Sequence, residues 1–274
     1  MRLAMADYLL RQPEASLCEA VRLATLDGLE LTYGPVLRAE RPWFQGDGPA
    51  QLIAAAAKQG ISLASLSATY FWWHRLYEAG SDQQREYARL LHQLLVHTAA
   101  AGIPVLHLPF YDAPTPNEPE IQRRILDLLQ AHLDQAARLG ITLALETVWP
   151  AEDAHRFVAR AGSQALKLAY DVGNACAANR DVVAELTLLR EDLAQVRIKD
   201  RARVEPFTSL RLGEGGVPFP ALLHCLRNQG YDGWLILTPP SGEDAVAEAR
   251  RNASFLRRLL PVTEPQGTPQ PATA

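Results

Sequence analysis

Three runs between residues 141 and 200 decide the fold: Ile141-Thr142-Leu143-Ala144-Leu145-Glu146, Leu166-Lys167-Leu168-Ala169-Tyr170-Asp171-Val172-Gly173-Asn174, and Ala194-Gln195-Val196-Arg197-Ile198-Lys199-Asp200. Each is a short apolar run with a charge near its C-terminal end. Buried parallel strands read this way, because both of their faces are covered. In a β/α barrel that end of each strand opens on the active site. Alternate side chains of a strand share a face. Counting from Glu146 gives Ala144 and Thr142; from Asp171, Ala169 and Lys167; from Arg197, Gln195 and Lys199. Glu146, Asp171 and Arg197 are therefore expected to converge in one mouth.

Outward from this stretch the same unit repeats. Strand candidates lie near 2–6, 28–33, 61–67, 103–110, 141–147, 166–172, 194–199 and 233–238. Segments with apolar residues at helical spacing separate them, as over 82–101 and 118–139. Gly28, Gly60, Gly102, Gly140 and Gly230 stand where a helix should stop and a strand begin, a place suited to glycine. Strands alternating with helices predict a parallel sheet. Eight units predict a single (β/α)8 TIM barrel over residues 1–260, with an open doubly wound sheet as the alternative. Residues 261–274 are rich in Pro, Thr and Gln with no apolar period, and read as a disordered tail.

A chain of 274 residues is typical for such a barrel, and 48 % hydrophobic residues suffice for a large core. A net charge of −4 argues against a nucleic-acid partner. Cys18, Cys176 and Cys225 lack metal-like spacing and suit a reducing cytoplasm. The N-terminal apolar run is too short for a signal peptide, and no run approaches a membrane span. The oligomeric state stays open, with a homo-oligomer compatible.

Further site candidates surround the predicted mouth. His107 lies on the opposite face of its strand from Leu106; it is either a substrate contact or a hydrogen-bonded core histidine. Tyr70-Phe71-Trp72-Trp73-His74 follows the third strand. It places aromatics, with Trp73 and His74 foremost, either against a sugar or as a satellite core under the loop. Trp149 could wall the same pocket. After the seventh strand, Lys199, Arg203, Arg211 and Gly213-Glu214-Gly215-Gly216 form a basic, glycine-rich loop. Loops there often hold phosphate in barrels, and glycines let backbone N–H groups approach an anion. Glu214, Glu243 and Asp244 oppose an anion there. A phosphosugar is thus compatible with the loop but not demanded by it. His92, His97, His132, His155 and His224 fall in helical patterns and read as outer-layer residues.

Leu145-Glu146-Thr147, Tyr170-Asp171-Val172-Gly173-Asn174, Ile198-Lys199-Asp200, Gly213-Glu214-Gly215 and Gly230-Tyr231-Asp232-Gly233-Trp234-Leu235-Ile236-Leu237 together resemble the xylose-isomerase-like sugar isomerases and epimerases. Within them they resemble the L-ribulose-5-phosphate 3-epimerase type. The resemblance covers about residues 1–260. It implies a sugar or sugar-phosphate substrate, with Asn174 among the groups at the site. It also implies a divalent metal (Mn, Mg or Zn) held by two glutamates, an aspartate and a histidine. The two glutamates would move a proton on opposite faces of the substrate carbon, through an enediolate. Carried over, the first glutamate is Glu146 and the aspartate is Asp171. The histidine position holds Arg197, and the last glutamate position holds Thr238. Arginine stays protonated and does not ligate metal, and threonine is a poor ligand and no base at neutral pH.

Two of four metal ligands are thus absent, and no tightly bound cofactor is expected. Two carboxylates about 4 Å apart repel by roughly 4 kcal/mol at an effective dielectric near 20. Arg197 supplies a cation that relieves this, in a fork suited to carboxylates. The first reading is an isomerase or epimerase with a rebuilt site, Glu146 the base and Arg197 or Lys199 stabilising the enediolate. The second is a non-catalytic carbohydrate-binding protein on the same barrel. The third is a DNA-repair endonuclease of the same superfamily, disfavoured by Arg197 and the net charge.

Overall fold

The computed structural model describes residues 1–34, 46–74, 80–110, 119–202, 209–240 and 242–260. Arg203 and the tail at 261–274 lie outside them, as does the side chain of Trp73.

Eight strands carry the fold: β1 (Arg2–Ala6), β2 (Gly28–Thr32), β3 (Ser62–Ser67), β4 (Val105–Phe110), β5 (Thr142–Thr147), β6 (Leu166–Asp171), β7 (Leu193–Ile198) and β10 (Trp234–Leu237). They pair in parallel and close in the order β1-β10-β7-β6-β5-β4-β3-β2. The structure is a single (β/α)8 barrel. A two-stranded antiparallel hairpin, β8 (Asp200–Arg201) with β9 (Ser209–Leu210), stands just beyond β7.

After β1 come α1 (Asp7–Leu10) and α2 (Leu17–Leu23), after β2 comes α3 (Gly48–Lys58), and after β3 comes α4 (Tyr70–Trp73). Two long helices, α5 (Ser81–Ala100) and α6 (Pro119–Arg138), flank β4. After β5 comes α7 (Ala151–Ala161), after β6 come α8 (Val172–Ala177) and α9 (Val182–Leu188), and the last are α10 (Phe219–Asn228) and α11 (Ala245–Leu259). On α6 the residues Ile125, Leu129, Leu133 and Ala136 are buried, three or four apart, which is the stripe a helix lays on a sheet. Among the described residues no helix is long and apolar enough to cross a membrane.

The barrel floor explains one glycine. Trp234 fills the lumen at the N-terminal end with Ala4, Ala64 and Ile236. The guanidinium of Arg2 lies 4.1 Å from the centre of the Trp234 ring. A Cβ at Gly28 would sit 2.7 Å from that ring. Gly28 is therefore not a helix stop, as its place before a strand suggests, but the residue that lets tryptophan plug the barrel. The other four glycines do end helices: Gly140, for example, has φ 68°.

Candidate functional site

Above the apolar floor the lumen is polar. Glu30, Ser65, Ser67, His107, Glu146, Asp171, Gln195 and Arg197 are buried there, on six different strands. Arg197 reaches across the lumen from β7. Its Nη1 donates to both oxygens of Glu30 on β2, at 2.9 Å each, and its Nε lies 3.1 Å from Glu146 Oε2 on β5. Ser65 Oγ donates to Glu30 Oε2 at 2.7 Å, and Gln195 Nε2 at 3.4 Å. His107 Nε2 lies 2.8 Å from Glu146 Oε2, and its Nδ1 lies 2.8 Å from Ser67 Oγ.

These contacts fix the charge state. Burial pushes the His107 imidazolium down to about 3, and Arg197 pushes the same way, so the ring is neutral at physiological pH. Glu146 can only accept, so the ring proton is assigned to Nε2, and Nδ1 accepts from Ser67. Burial raises the Glu30 carboxyl, but Arg197 and the Ser65 hydroxyl more than offset it, and the net direction is down. The network holds two carboxylates, one guanidinium and a neutral imidazole, a net charge of −1. Half-exposed Tyr8, on α1, lies within electrostatic reach of Arg197, Glu30, Asp7 and Glu146.

Asp171 belongs to a second pair. Lys199 Nζ lies 2.8 Å from its Oδ2, and the Asn174 backbone N–H donates to its Oδ1 at 2.7 Å. Burial raises this carboxyl; Lys199 and the Asn174 amide outweigh burial and hold it below its ordinary value. The sequence reading put Arg197 between Glu146 and Asp171. The structure gives Arg197 to Glu146 and Glu30 instead, because its side chain is long enough to cross the lumen, and Lys199 neutralises Asp171.

The other candidates fall in different places. His74 is exposed, with its ring centre 4.1 Å from that of Tyr70. Trp149 packs on Phe157 of α7, ring centres 5.2 Å apart. It lines a cavity with Leu145, Ala154, Tyr170 and Arg180, at the outer wall of β5 and β6. Its buried Nε1 has no hydrogen-bond partner among the described residues. Arg211 is half-exposed and lies 3.4 Å from Glu248. Thr238 follows β10, where its N–H donates to Ile198 O; its Oγ1 is buried without a partner among the described residues. Glu30, Ser65, Ser67 and Gln195 are the members that the sequence reading did not assign. Glu30 had a signal: Gly28-Leu29-Glu30-Leu31-Thr32 carries one charge among leucines, as β5 to β7 do.

The sequence profile of the xylose isomerase-like TIM barrel family matches residues 18–259. The chain belongs to this family. Among its relatives is the L-ribulose-5-phosphate 3-epimerase UlaE of Salmonella typhi, 26 % identical over 221 residues, covering 76 % of each chain. The solved structure of an L-ribulose 3-epimerase is similar at TM-score 0.77 and 18 % identity, over 94 % of this chain and 95 % of that one. The IolI protein, solved with a bound zinc, matches at TM-score 0.75 and 15 % identity, over 95 % of this chain and 99 % of that one.

The xylose isomerase-like donor set for a divalent metal does not fit these residues. Of the four positions only Glu146 and Asp171 carry carboxylates; Thr238 offers a hydroxyl, a poor ligand, and Arg197 offers none. Glu146 Oε2 is shared by His107 and Arg197, and both oxygens of Asp171 are engaged. Among the described residues no three His, Cys, Asp or Glu side chains are grouped to hold a metal ion. A guanidinium lies against the carboxylate that a metal would share.

Proposed function

We propose that this protein isomerises or epimerises a ketose by moving a proton at the carbon beside the carbonyl, with Arg197 as the fixed cation of the site. The observation that carries this is the Glu30–Arg197–Glu146 bridge inside a barrel whose curated relatives are named sugar epimerases. Glu146 takes the proton from the substrate carbon. The electron pair moves onto the carbonyl oxygen, forming an enediolate. Arg197 and Lys199 stabilise that oxyanion, because a fixed charge in a dry site needs no reorganisation as charge develops. In isomerisation the hydroxyl proton of the first carbon passes to the oxyanion, and Glu146 returns its proton to the neighbouring carbon. In epimerisation a water gives a proton to the first carbon on its opposite face and Glu146 releases its proton to solvent, so the site ends as it began. Neutral His107 holds the Glu146 carboxylate through Nε2–H and keeps Oε2 oriented toward Arg197.

A second reading, binding without turnover, is favoured by one observation. Glu146 is 0 % exposed, and its Oε2 is already held twice. Incubation of chelator-treated protein with free and phosphorylated ketoses in D2O separates the two. Deuterium entering the carbon beside the carbonyl, and lost in Glu146→Gln, supports catalysis. Saturable binding with no exchange gives the site to a carbohydrate-binding protein.

A further inference from the structure

Among the described residues, the loops that could receive a phosphate already hold carboxylates of the chain itself. Asp200, 0 % exposed, accepts four backbone N–H groups. Gly213 and Gly215 donate to Oδ2 at 2.9 and 2.8 Å, and Val217 and Arg201 donate to Oδ1 at 3.1 and 3.0 Å. Converging amides of this kind make an anion cradle. This one is shaped around its own occupant: a Cβ at Gly215 would collide with Asp200 Oδ1. The glycine-rich loop is thus spent on an internal anion.

The end of β10 offers no replacement among the described residues. Thr238 leads into Pro239 and Pro240, which have no N–H to give. The N-terminus of α11, the natural anion end of a helix, is capped by Asp244, whose Oδ1 accepts from Ala247 N at 2.9 Å. Glu248, buried in the first turn of α11, is paired with Arg211. Lys199 is paired with Asp171. Among the described residues in and beside the lumen, the carboxylates Glu30, Glu146, Asp171 and Asp200 outnumber the cations Arg197, Lys199 and Arg201, with His107 neutral. A phosphate monoester, close to −2 at pH 7, would enter an already negative field.

We infer that the substrate of this site is a neutral, unphosphorylated ketose, unlike the phosphate ester named for the curated relatives. This rests on the sugar reading above and narrows it. Wild-type protein is to be given free ketopentoses and ketohexoses and, in parallel, their terminal phosphates, with kcat/KM for exchange in D2O and affinity by calorimetry as readouts. The expected result is a preference for the free sugar of at least about 100-fold, since like-charge juxtaposition costs several kcal/mol. Inorganic phosphate at millimolar concentration should not compete. Asp200→Ser, which empties the cradle, should be protected against thermal unfolding by inorganic phosphate more than the wild type is. A preference for phosphorylated ketoses, or equal protection of both proteins by phosphate, overturns this inference and leaves the sugar reading standing. Neither class bound or turned over overturns both.

Discussion

Arg197→Met isolates the contribution of the bridging cation. Methionine keeps most of the apolar stem and removes the guanidinium, with its 2.9 Å contacts to Glu30 and its 3.1 Å contact to Glu146. Breaking a buried pair by deleting one partner costs about 3–5 kcal/mol. Two carboxylates that a guanidinium had bridged then face each other. At about 6 Å and an effective dielectric near 20 they repel by about 3 kcal/mol. These two figures overlap, because one carboxyl escapes by taking up a proton. The net loss at neutral pH is expected to be about 4 kcal/mol, a large share of a typical domain's 5–15 kcal/mol. A buried carboxyl with no cation has its folded-state value raised above the unfolded one. The folded variant therefore binds more protons than its unfolded chain, and its stability is regained as pH falls. One proton over two pH units returns at most about 2.7 kcal/mol. Urea unfolding at about pH 7.5 and about pH 5.5 should then show the wild-type advantage shrinking from about 4 to about 2 kcal/mol. Adding Glu30→Gln should recover part of the loss at the higher pH. A loss below about 1 kcal/mol, or one independent of pH, would refute the bridge as the organising contact of the lumen.

Other outcomes follow from the same geometry. Wild-type stability should fall as pH drops from about 6.5 towards about 3, because His107 stays neutral in the folded state while the unfolded chain takes up a proton. His107→Gln should flatten that slope in pH-dependent unfolding. Arg197→His with Thr238→Glu should create a Mn²⁺ site visible by calorimetry, with either single change doing less. Gly173→Ala should displace Lys199, whose Cγ would lie 2.5 Å from the new Cβ, and so loosen its pair with Asp171; a loss of about 1–3 kcal/mol is expected in thermal or urea unfolding. Trp149→Phe leaves no buried N–H without a partner and should change stability by less than about 1 kcal/mol. If the same change weakens sugar binding several-fold in a fluorescence titration, Trp149 Nε1 is a ligand donor.

The barrel was legible because its signal is redundant. Eight apolar runs of strand length, divided by helical periodicity, leave few alternatives, and the observed strands lie within two residues of the expected ends. Glu146, Asp171 and Arg197 were legible for a related reason: a charge at the C-terminal end of a buried strand has few places to go except the mouth. Glu30 carried the same mark, but its strand had no further motif to draw attention to it. The partner of Arg197 was not legible. Strand order puts Asp171 beside it, yet a long side chain can cross a lumen, and only the three-dimensional distances decide between neighbours. The glycine loop misled in a subtler way. Gly213 and Gly215 do build an anion cradle, as their spacing suggests, but the anion is Asp200 of the same chain. Sequence shows the cradle and cannot show its occupant.

We propose that Arg197 is the cation of this lumen, in place of the divalent metal that the family resemblance implies. Elemental analysis of the protein as purified, followed by Mn²⁺ titration of chelator-treated wild type, tests it most directly. The expected result is no stoichiometric metal and no saturable Mn²⁺ site, with a site appearing in Arg197→His/Thr238→Glu. One metal per wild-type chain, lost in Glu146→Gln and in Asp171→Asn, would contradict it.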